Sequence, residues 1–123
     1  MIRTALAVLL SLAGAASVGA VETSMQLVLT LEGNAQRDVV SYQCEGEDGQ
    51  MVVEYVNAHP IFLALVPVAG ESLVFVNVLS ASGARYASGQ YIWWSQGNAA
   101  QLYDEMADGD EPLLDCHADA DIP

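Results

Sequence analysis

The sequence predicts an all-β protein, a small antiparallel β-barrel of about eight strands that one disulfide closes. Short runs rich in valine, leucine and aromatic residues alternate with turn residues along residues 39–123, and no long helical pattern interrupts them. The chain has 2 cysteines. Because a two-sheet sandwich has the same periodicity, the pattern alone leaves that architecture open.

Residues 1–20 have the composition of a signal peptide. Arg3 precedes an apolar run from Ala5 to Ala16, and the segment closes with the small residues Gly19 and Ala20. The run is too short to span a bilayer comfortably. We therefore expect cleavage after Ala20 and a periplasmic protein. Because no cysteine lies near that position, we expect no lipid anchor.

The rest of the chain is long enough for one core and too short for two. We assign residues 21–38 to an N-terminal lead-in and residues 39–123 to the barrel domain. The lead-in contains an alternating patch, Met25 to Leu31, that fits either a strand or a loosely held arm.

Turn residues divide the barrel domain into its strands. Glu45 to Gly49 joins the first two runs as a hairpin. Pro60 breaks the chain before the third run, and Pro67 and Gly70 mark the next turn. An acidic loop, Asp104 to Pro112, precedes the last run. The predicted strands are Val39–Cys44, Met51–Asn57, Ile61–Val66, Ser72–Leu79, Arg85–Ala87, Tyr91–Trp94, Ala99–Tyr103 and Leu113–Cys116.

The chain is strongly acidic. It has 16 aspartates and glutamates against 3 basic residues, which gives a formal net charge of −13. Such a field repels nucleic acid and anionic membrane surfaces, and it attracts basic proteins. Composition alone favours a simpler role for the charge, solubility or adaptation to a salty medium.

Cys44 and Cys116 are expected to form a disulfide, because two cysteines in a small exported domain usually pair. The bridge would join the first core strand to the last segment. A metal or redox pair is the alternative. The sequence has no Cys-x-x-Cys spacing, and His117 beside Cys116 supplies only two adjacent ligands.

No segment has the pattern of a catalytic site. Neither His59 nor His117 lies in a recognisable motif, and Ser82 lacks the Gly-x-Ser-x-Gly context of a hydrolase nucleophile. The acidic loop lacks the residue order of an EF-hand, so a solvated charge run is favoured over a calcium site. We predict a protein that is not an enzyme and that needs no cofactor or metal.

Adjacent tryptophans indicate a surface contact. Trp93 and Trp94 lie in one predicted strand, so their side chains must face opposite sides of it. One of them lies outside the barrel or at its rim, where tryptophan is a frequent contact residue. In a barrel this small, the other aromatic side chains are expected to fill the interior.

The segment Ser80–Gly97 joins a small-residue turn, an aromatic strand and a second turn. It follows the pattern Ser-x-Ser-Gly-x-(Lys/Arg)-Tyr, then an aromatic pair, then Gly-x-x-Ala-x-Leu. The residues in this pattern are Ser80, Ser82, Gly83, Arg85, Tyr86, Trp93, Trp94, Gly97, Ala100 and Leu102. The segment closely resembles the signature of the MliC/PliC family of periplasmic inhibitors of C-type lysozyme. Gln96 departs from that signature, which has lysine at this position.

The resemblance implies an eight-stranded barrel that inhibits lysozyme by occlusion. In the family, the serine before the glycine enters the lysozyme cleft and meets its catalytic carboxylates; by position this is Ser82. The residues expected to bind lysozyme are Ser80, Ser82, Gly83, Tyr86, Trp94, Gln96 and Gly97. We expect Tyr86 to hold the turn in shape and Arg85 to pair with a neighbouring acid.

The sequence therefore predicts a periplasmic inhibitor of C-type lysozyme whose Ser80–Ala84 loop blocks the active-site cleft. The acidic field would speed the encounter with a basic lysozyme. An alternative is a periplasmic, non-catalytic binding module that holds a small sugar or apolar ligand against the tryptophans. A purely structural surface protein is a third possibility.

Overall fold

The chain forms a closed antiparallel barrel, which confirms the barrel over the sandwich. The computed structural model describes residues 34–119, and Gly14 alone before them. The strands are β1 (Gln36–Cys44), β2 (Gln50–Ala58), β3 (Ile61–Val68), β4 (Glu71–Val78), β5 (Ala84–Ser88), β6 (Tyr91–Gln96), β7 (Ala99–Asp104) and β8 (Leu114–Ala118). Each strand pairs with the next one in the chain, and β8 pairs with β1. The predicted signal peptide and most of the lead-in lie outside the described residues.

Strand β1 is longer than the sequence pattern indicates. It begins at Gln36, whereas the pattern places the start at Val39. The first residues of β1 are polar and exposed, so they show no inward-facing alternation. They still pair with β2, with Gln36 opposite Asn57 and Arg37 opposite Val56. Backbone pairing extends this strand where side-chain periodicity gives no signal.

The connections between strands divide between two ends of the barrel, because antiparallel strands alternate in direction. One end, here called the Ser82 end, carries the connections 59–60, 79–83 and 97–98. The opposite end, here called the acidic end, carries the connections 45–49, 69–70, 89–90 and 105–113.

Inward-facing side chains fill the barrel. The largest fully buried ones are Trp93, Tyr42, Phe75, Leu102, Val53 and Val66. The rings of Tyr42 and Trp93 meet edge to face with centroids 5.4 Å apart, an arrangement that favours the ring quadrupoles. This packing confirms the expectation that aromatic side chains occupy the interior.

The core contains a short polar chain of tyrosine and tryptophan. Trp93 Nε1 donates to the Tyr55 hydroxyl at 2.9 Å, and the hydroxyls of Tyr42 and Tyr55 lie 2.8 Å apart. Burial raises the pKa of the Tyr42 hydroxyl well above its ordinary value, and the hydrogen bond with Tyr55 adds to this shift. The core therefore holds Tyr42 neutral and hydrogen-bonded, so its burial does not leave a polar group unpaired.

Cys44 and Cys116 form the expected disulfide. The two residues face each other directly across the β1–β8 ladder. The bridge thus joins the first and last strands, where the barrel closes. Its partners are 72 residues apart in the chain. On the chain-entropy model, a loop of that length stabilises the fold by about 4 kcal/mol.

Replacing Tyr55 by phenylalanine is expected to destabilise the barrel more than replacing Tyr42. Tyr55→Phe removes the acceptor of Trp93 Nε1 and the hydrogen-bond partner of Tyr42. Because two buried polar groups then lack a partner, the free energy of unfolding should fall by about 2–4 kcal/mol. Tyr42→Phe leaves the Trp93–Tyr55 bond in place and should cost about 1 kcal/mol. Urea unfolding followed by far-ultraviolet circular dichroism measures both losses.

Tyr103→Phe provides the matched control. The Tyr103 hydroxyl donates to Gln101 Oε1 on the outer surface, so its loss should be smaller than that of either core hydroxyl. Equal losses for Tyr55→Phe and Tyr103→Phe would show that the buried chain of hydrogen bonds adds nothing to stability.

Candidate functional site

The turn between β4 and β5 is held against the barrel through one of its backbone carbonyl groups. Ser80 Oγ donates to the Ser82 carbonyl at 2.5 Å, and Trp94 Nε1 donates to the same oxygen at 3.0 Å. This carbonyl therefore faces Trp94 on the barrel wall and accepts two hydrogen bonds. Ser82 itself is exposed. The turn consequently presents a small hydroxyl side chain to solvent on a backbone that is fixed at one point.

Gly83 allows the turn to lie directly on the end of β6. Its φ is +65°, a conformation that favours glycine. A Cβ at this position would lie 2.5 Å from Gln96 Cγ, 2.5 Å from the Ser95 carbonyl oxygen and 2.9 Å from Trp94 Nε1. No ordinary side chain fits there, so the contact between the turn and β6 depends on glycine.

The adjacent tryptophans separate as predicted. Trp93 is fully buried, whereas Trp94 is partly exposed on the outer face of β6. Trp93 bonds to the core through Tyr55, and Trp94 bonds to the Ser82 carbonyl. Neighbouring residues of one strand thus connect the core to the turn.

Arg85 stacks on Trp94. Its guanidinium carbon lies 5.4 Å from the ring centroid, and the two residues are opposite each other across β5 and β6. Within residues 34–119, the ion pair is Arg37 with Glu54, so the expected pairing of Arg85 with a neighbouring acid was wrong. Arg85 therefore makes a cation–π contact with the Trp94 ring instead of an ion pair with a carboxylate.

The second turn begins beside the first. Gln96 is exposed at the last position of β6, and its Cγ lies against Gly83. Gly97 follows in the turn with φ +58°. The predicted site residues Ser80, Ser82, Gly83, Trp94, Gln96 and Gly97 therefore lie together at the Ser82 end.

Tyr86 lies apart from this surface. It is buried in the core, 6% exposed, and its ring packs against Tyr55 with centroids 5.7 Å apart. Burial raises the pKa of its hydroxyl. Tyr86 faces inward because it is the ladder partner of Trp93. It supports the strand below the turn and is not available for direct contact with a partner.

Leu79 also lies at this end of the barrel, although it was not among the predicted site residues. It occupies the first position of the turn and is 95% exposed. The available signal was an apolar residue that continues the run of β4 into a segment of small residues. The turn therefore presents an exposed apolar side chain next to Ser80 in the sequence.

An acidic groove runs next to Trp94. It has a volume of about 590 Å³ and lies between the outer face of the barrel and the loop after β7. Its lining includes Arg85, Trp94, Tyr103, Asp104, Glu105, Asp108, Asp110 and Glu111.

Among residues 34–119 no group of three or more histidines, cysteines or acids is placed to hold a metal ion. In the same part of the chain, no helix is long and apolar enough to cross a membrane.

The family model that matches this chain is MliC, described as a membrane-bound lysozyme inhibitor of C-type lysozyme, over residues 42–111. The chain is 46% identical over 92 residues to a protein of that description from Pseudomonas aeruginosa, and the match spans 72% of each chain. It is 40% identical over 81 residues to one from Cupriavidus necator, spanning 64% of each.

A solved structure is also similar. It is Pseudomonas aeruginosa MliC in complex with hen egg white lysozyme, with a TM-score of 0.60 and 42% identity. The match covers 79% of this chain and 99% of the other. The similarity extends over the whole barrel of that protein, well beyond one motif.

Replacing Gly83 by alanine is expected to lift the turn from β6. The added Cβ meets the Ser95 carbonyl and Gln96, and it also adds about 1 kcal/mol of backbone strain. Gly89→Ala is the matched control, because Gly89 has φ +54° and nothing within 4 Å of the added atom. Urea unfolding and hydrogen exchange at Trp94 Nε1 measure the outcome.

We expect the free energy of unfolding to fall by at least about 1 kcal/mol more in Gly83→Ala than in Gly89→Ala. Only the Cβ added at position 83 overlaps neighbouring atoms, so only there must the turn move. Exchange at Trp94 Nε1 should accelerate in Gly83→Ala alone. Unchanged exchange there would mean that the turn does not depend on close contact at position 83.

Proposed function

This chain belongs to the MliC family of lysozyme inhibitors, and from that membership we propose that it binds C-type lysozyme and blocks the active-site cleft. The observation that carries the proposal is the similarity, at 42% identity, to an MliC structure solved in complex with hen egg white lysozyme. The described barrel supports it with a small exposed turn that is fixed to a rigid wall.

The turn at residues 80–84 has the shape of an insertion loop. Its side chains are small, so it is thin enough to enter a cleft. Ser82 is exposed, and the hydrogen bonds from Ser80 and Trp94 end on its carbonyl rather than on its hydroxyl. Glycosidase clefts contain a pair of carboxylates that accept hydrogen bonds. We infer that Ser82 donates to these carboxylates and that Gln96 supports the contact through its amide.

Rigidity of the turn favours affinity. A loop that is disordered before binding loses conformational entropy on ordering, which weakens the complex. Here Trp94 Nε1 and the close approach at Gly83 hold the turn before a partner arrives. The cost of ordering it is therefore small, and more of the contact energy remains as affinity.

Electrostatics supports a basic partner. The chain has a net charge of −13, and the loop after β7 places acids in the groove beside Trp94. A cationic protein that approaches this face meets a negative potential next to the turn. Such potentials raise association rates by about 10-fold or more at low salt.

Inhibition by occlusion needs no reaction on the inhibitor, so we propose a non-catalytic protein. Both cysteines are joined in the disulfide and offer no thiol. Neither described histidine adjoins the turn in sequence, since His59 lies in the connection 59–60 and His117 lies in β8. Binding and exclusion of substrate account for the whole activity.

We propose that the protein works outside the cytoplasm, where a lysozyme and an oxidised disulfide are both expected. The relatives are described as membrane-bound. Their names give no support to the prediction of an unanchored periplasmic protein, which rests on residues outside the described ones. That location stays a prediction.

The central test is inhibition of C-type lysozyme by the purified protein, followed as clearing of a cell-wall suspension. We expect inhibition at micromolar concentration or below, and Ser82→Tyr should weaken it at least about tenfold because the larger ring blocks entry into the cleft. Ser72→Tyr, at an exposed position near the acidic end, controls for the added ring.

Two outcomes would overturn the proposal. If no C-type lysozyme is inhibited, the function is wrong. If Ser82→Tyr inhibits as well as Ser72→Tyr, the turn at residues 80–84 is not the inserted element.

Replacing Gln96 by lysine should strengthen inhibition about threefold to tenfold, because a charged donor to a carboxylate nets about 1 kcal/mol more than a neutral one. Gln90→Lys is the control, since Gln90 is exposed in the connection 89–90 at the opposite end of β6 and its replacement changes the net charge equally. Surface plasmon resonance separates the rates. The gain should appear as slower dissociation, and equal behaviour of the two variants would assign the effect to net charge.

A further inference from the structure

The barrel has an open apolar mouth at its acidic end. A cleft of about 680 Å³ enters there, which is within the size range of small-ligand pockets. Apolar side chains form much of its lining, namely Met51, Val52, Pro67, Val68, Tyr91, Leu102, Leu113 and Leu114. They come from strands β2, β3, β6, β7 and β8 and the connection before β8, so the cleft is a feature of the barrel end.

Some of this lining remains in contact with water. Leu113 is 50% exposed and Val52 is 46% exposed, and Met51, Tyr91 and Leu114 are only partly buried. Covering apolar surface of this kind releases free energy in proportion to its area. An apolar group of suitable size would therefore gain by entering the mouth.

The rim of the same mouth is anionic. Glu47 and Asp48 line the cleft. Glu45 and Glu71 directly follow the lining residues Cys44 and Gly70 and add two more carboxylates at this end. The two described arginines are engaged elsewhere, Arg37 with Glu54 and Arg85 over Trp94. The lining of the cleft itself contains no lysine or arginine, so Glu47 and Asp48 have no counter-charge within it.

We propose that this mouth binds a cationic amphipathic peptide, with an apolar side chain in the cleft and its lysines or arginines against the rim. The two features together select this chemistry. A neutral apolar ligand would leave the carboxylates unused, and a bare cation would leave the apolar lining unused. Nucleic acid, anionic lipid and a second acidic copy of this chain would all be repelled.

This site lies at the opposite end of the barrel from the Ser82 turn, so it goes beyond the proposed lysozyme inhibition. Peptide in the mouth and lysozyme at the turn should bind independently. The barrel would then present two separate surfaces for cationic partners, one that enters a cleft and one that receives a side chain.

The test is calorimetric titration of the purified protein with a capped synthetic peptide built of leucine and lysine. Two comparison peptides replace either lysine by glutamate or leucine by serine. We expect binding of the first peptide only, with affinity that falls as salt rises. Amide chemical shifts should change around the acidic end and not at the Ser82 end.

Variants locate the site. Leu113→Ser should weaken binding about fivefold because it removes apolar lining at the rim. Val76→Ser is the control, since Val76 is 52% exposed on the side of the barrel. Asp48→Asn should weaken binding about two- to threefold at low salt. Asp38→Asn, outside the cleft, removes the same charge and should have a smaller effect.

Each of four results would overturn the proposal. These are no binding of the leucine–lysine peptide, equal binding of the serine–lysine peptide, equal losses in Leu113→Ser and Val76→Ser, and displacement of bound peptide by lysozyme. A dimer in sedimentation that Leu113→Ser dissociates, without peptide binding, would assign the mouth to a second copy instead. Because the titration uses no lysozyme, it can fail while inhibition stands, and the reverse.

Discussion

The alternation of side chains along β6 is the constraint on which the rest of the site depends. Trp93 points inward and joins the buried hydrogen-bond chain through Tyr55, and Trp94 points outward and holds the Ser82 carbonyl. Because successive residues of a strand face opposite sides, fixing one ring fixes the direction of the other. The turn is thus positioned by the same strand that packs the core. A shift of β6 by one residue would exchange the two rings and lose both contacts.

Much of the fold follows from local signals, but the contacts that matter most join distant residues. Turn residues and alternation indicated about eight strands, and the structure has eight; export with two cysteines indicated the bridge from Cys44 to Cys116. The pattern could not indicate that β1 starts at Gln36, because backbone pairing rather than side-chain polarity extends it. It also could not show the barrel mouth, which needs the ends of five strands in register.

The family signature named the candidate site residues one by one, and the structure supplied their geometry. The sequence shows a glycine at position 83, but not that the end of β6 lies within 2.5 Å of where its Cβ would be. The error at Arg85 has the same origin. Its neighbour is set by the β5–β6 register, which places Trp94 opposite it, and no local pattern reports that register. Tyr86 is inward for the same reason, as the partner of Trp93.

The distribution of charge separates how a partner is attracted from how it is held. The Ser82 turn itself carries no ionised side chain between residues 79 and 84, whereas the acids lie in the groove beside Trp94 and around the far end. Long-range attraction to a basic protein therefore acts mainly on the association rate, which salt screens. In the complex we propose, the contacts at the tip would be neutral and short-ranged, and they would act on the dissociation rate. A barrel built this way can gain speed of encounter from its acids without placing a carboxylate against the carboxylates of a lysozyme cleft, where like charges would repel.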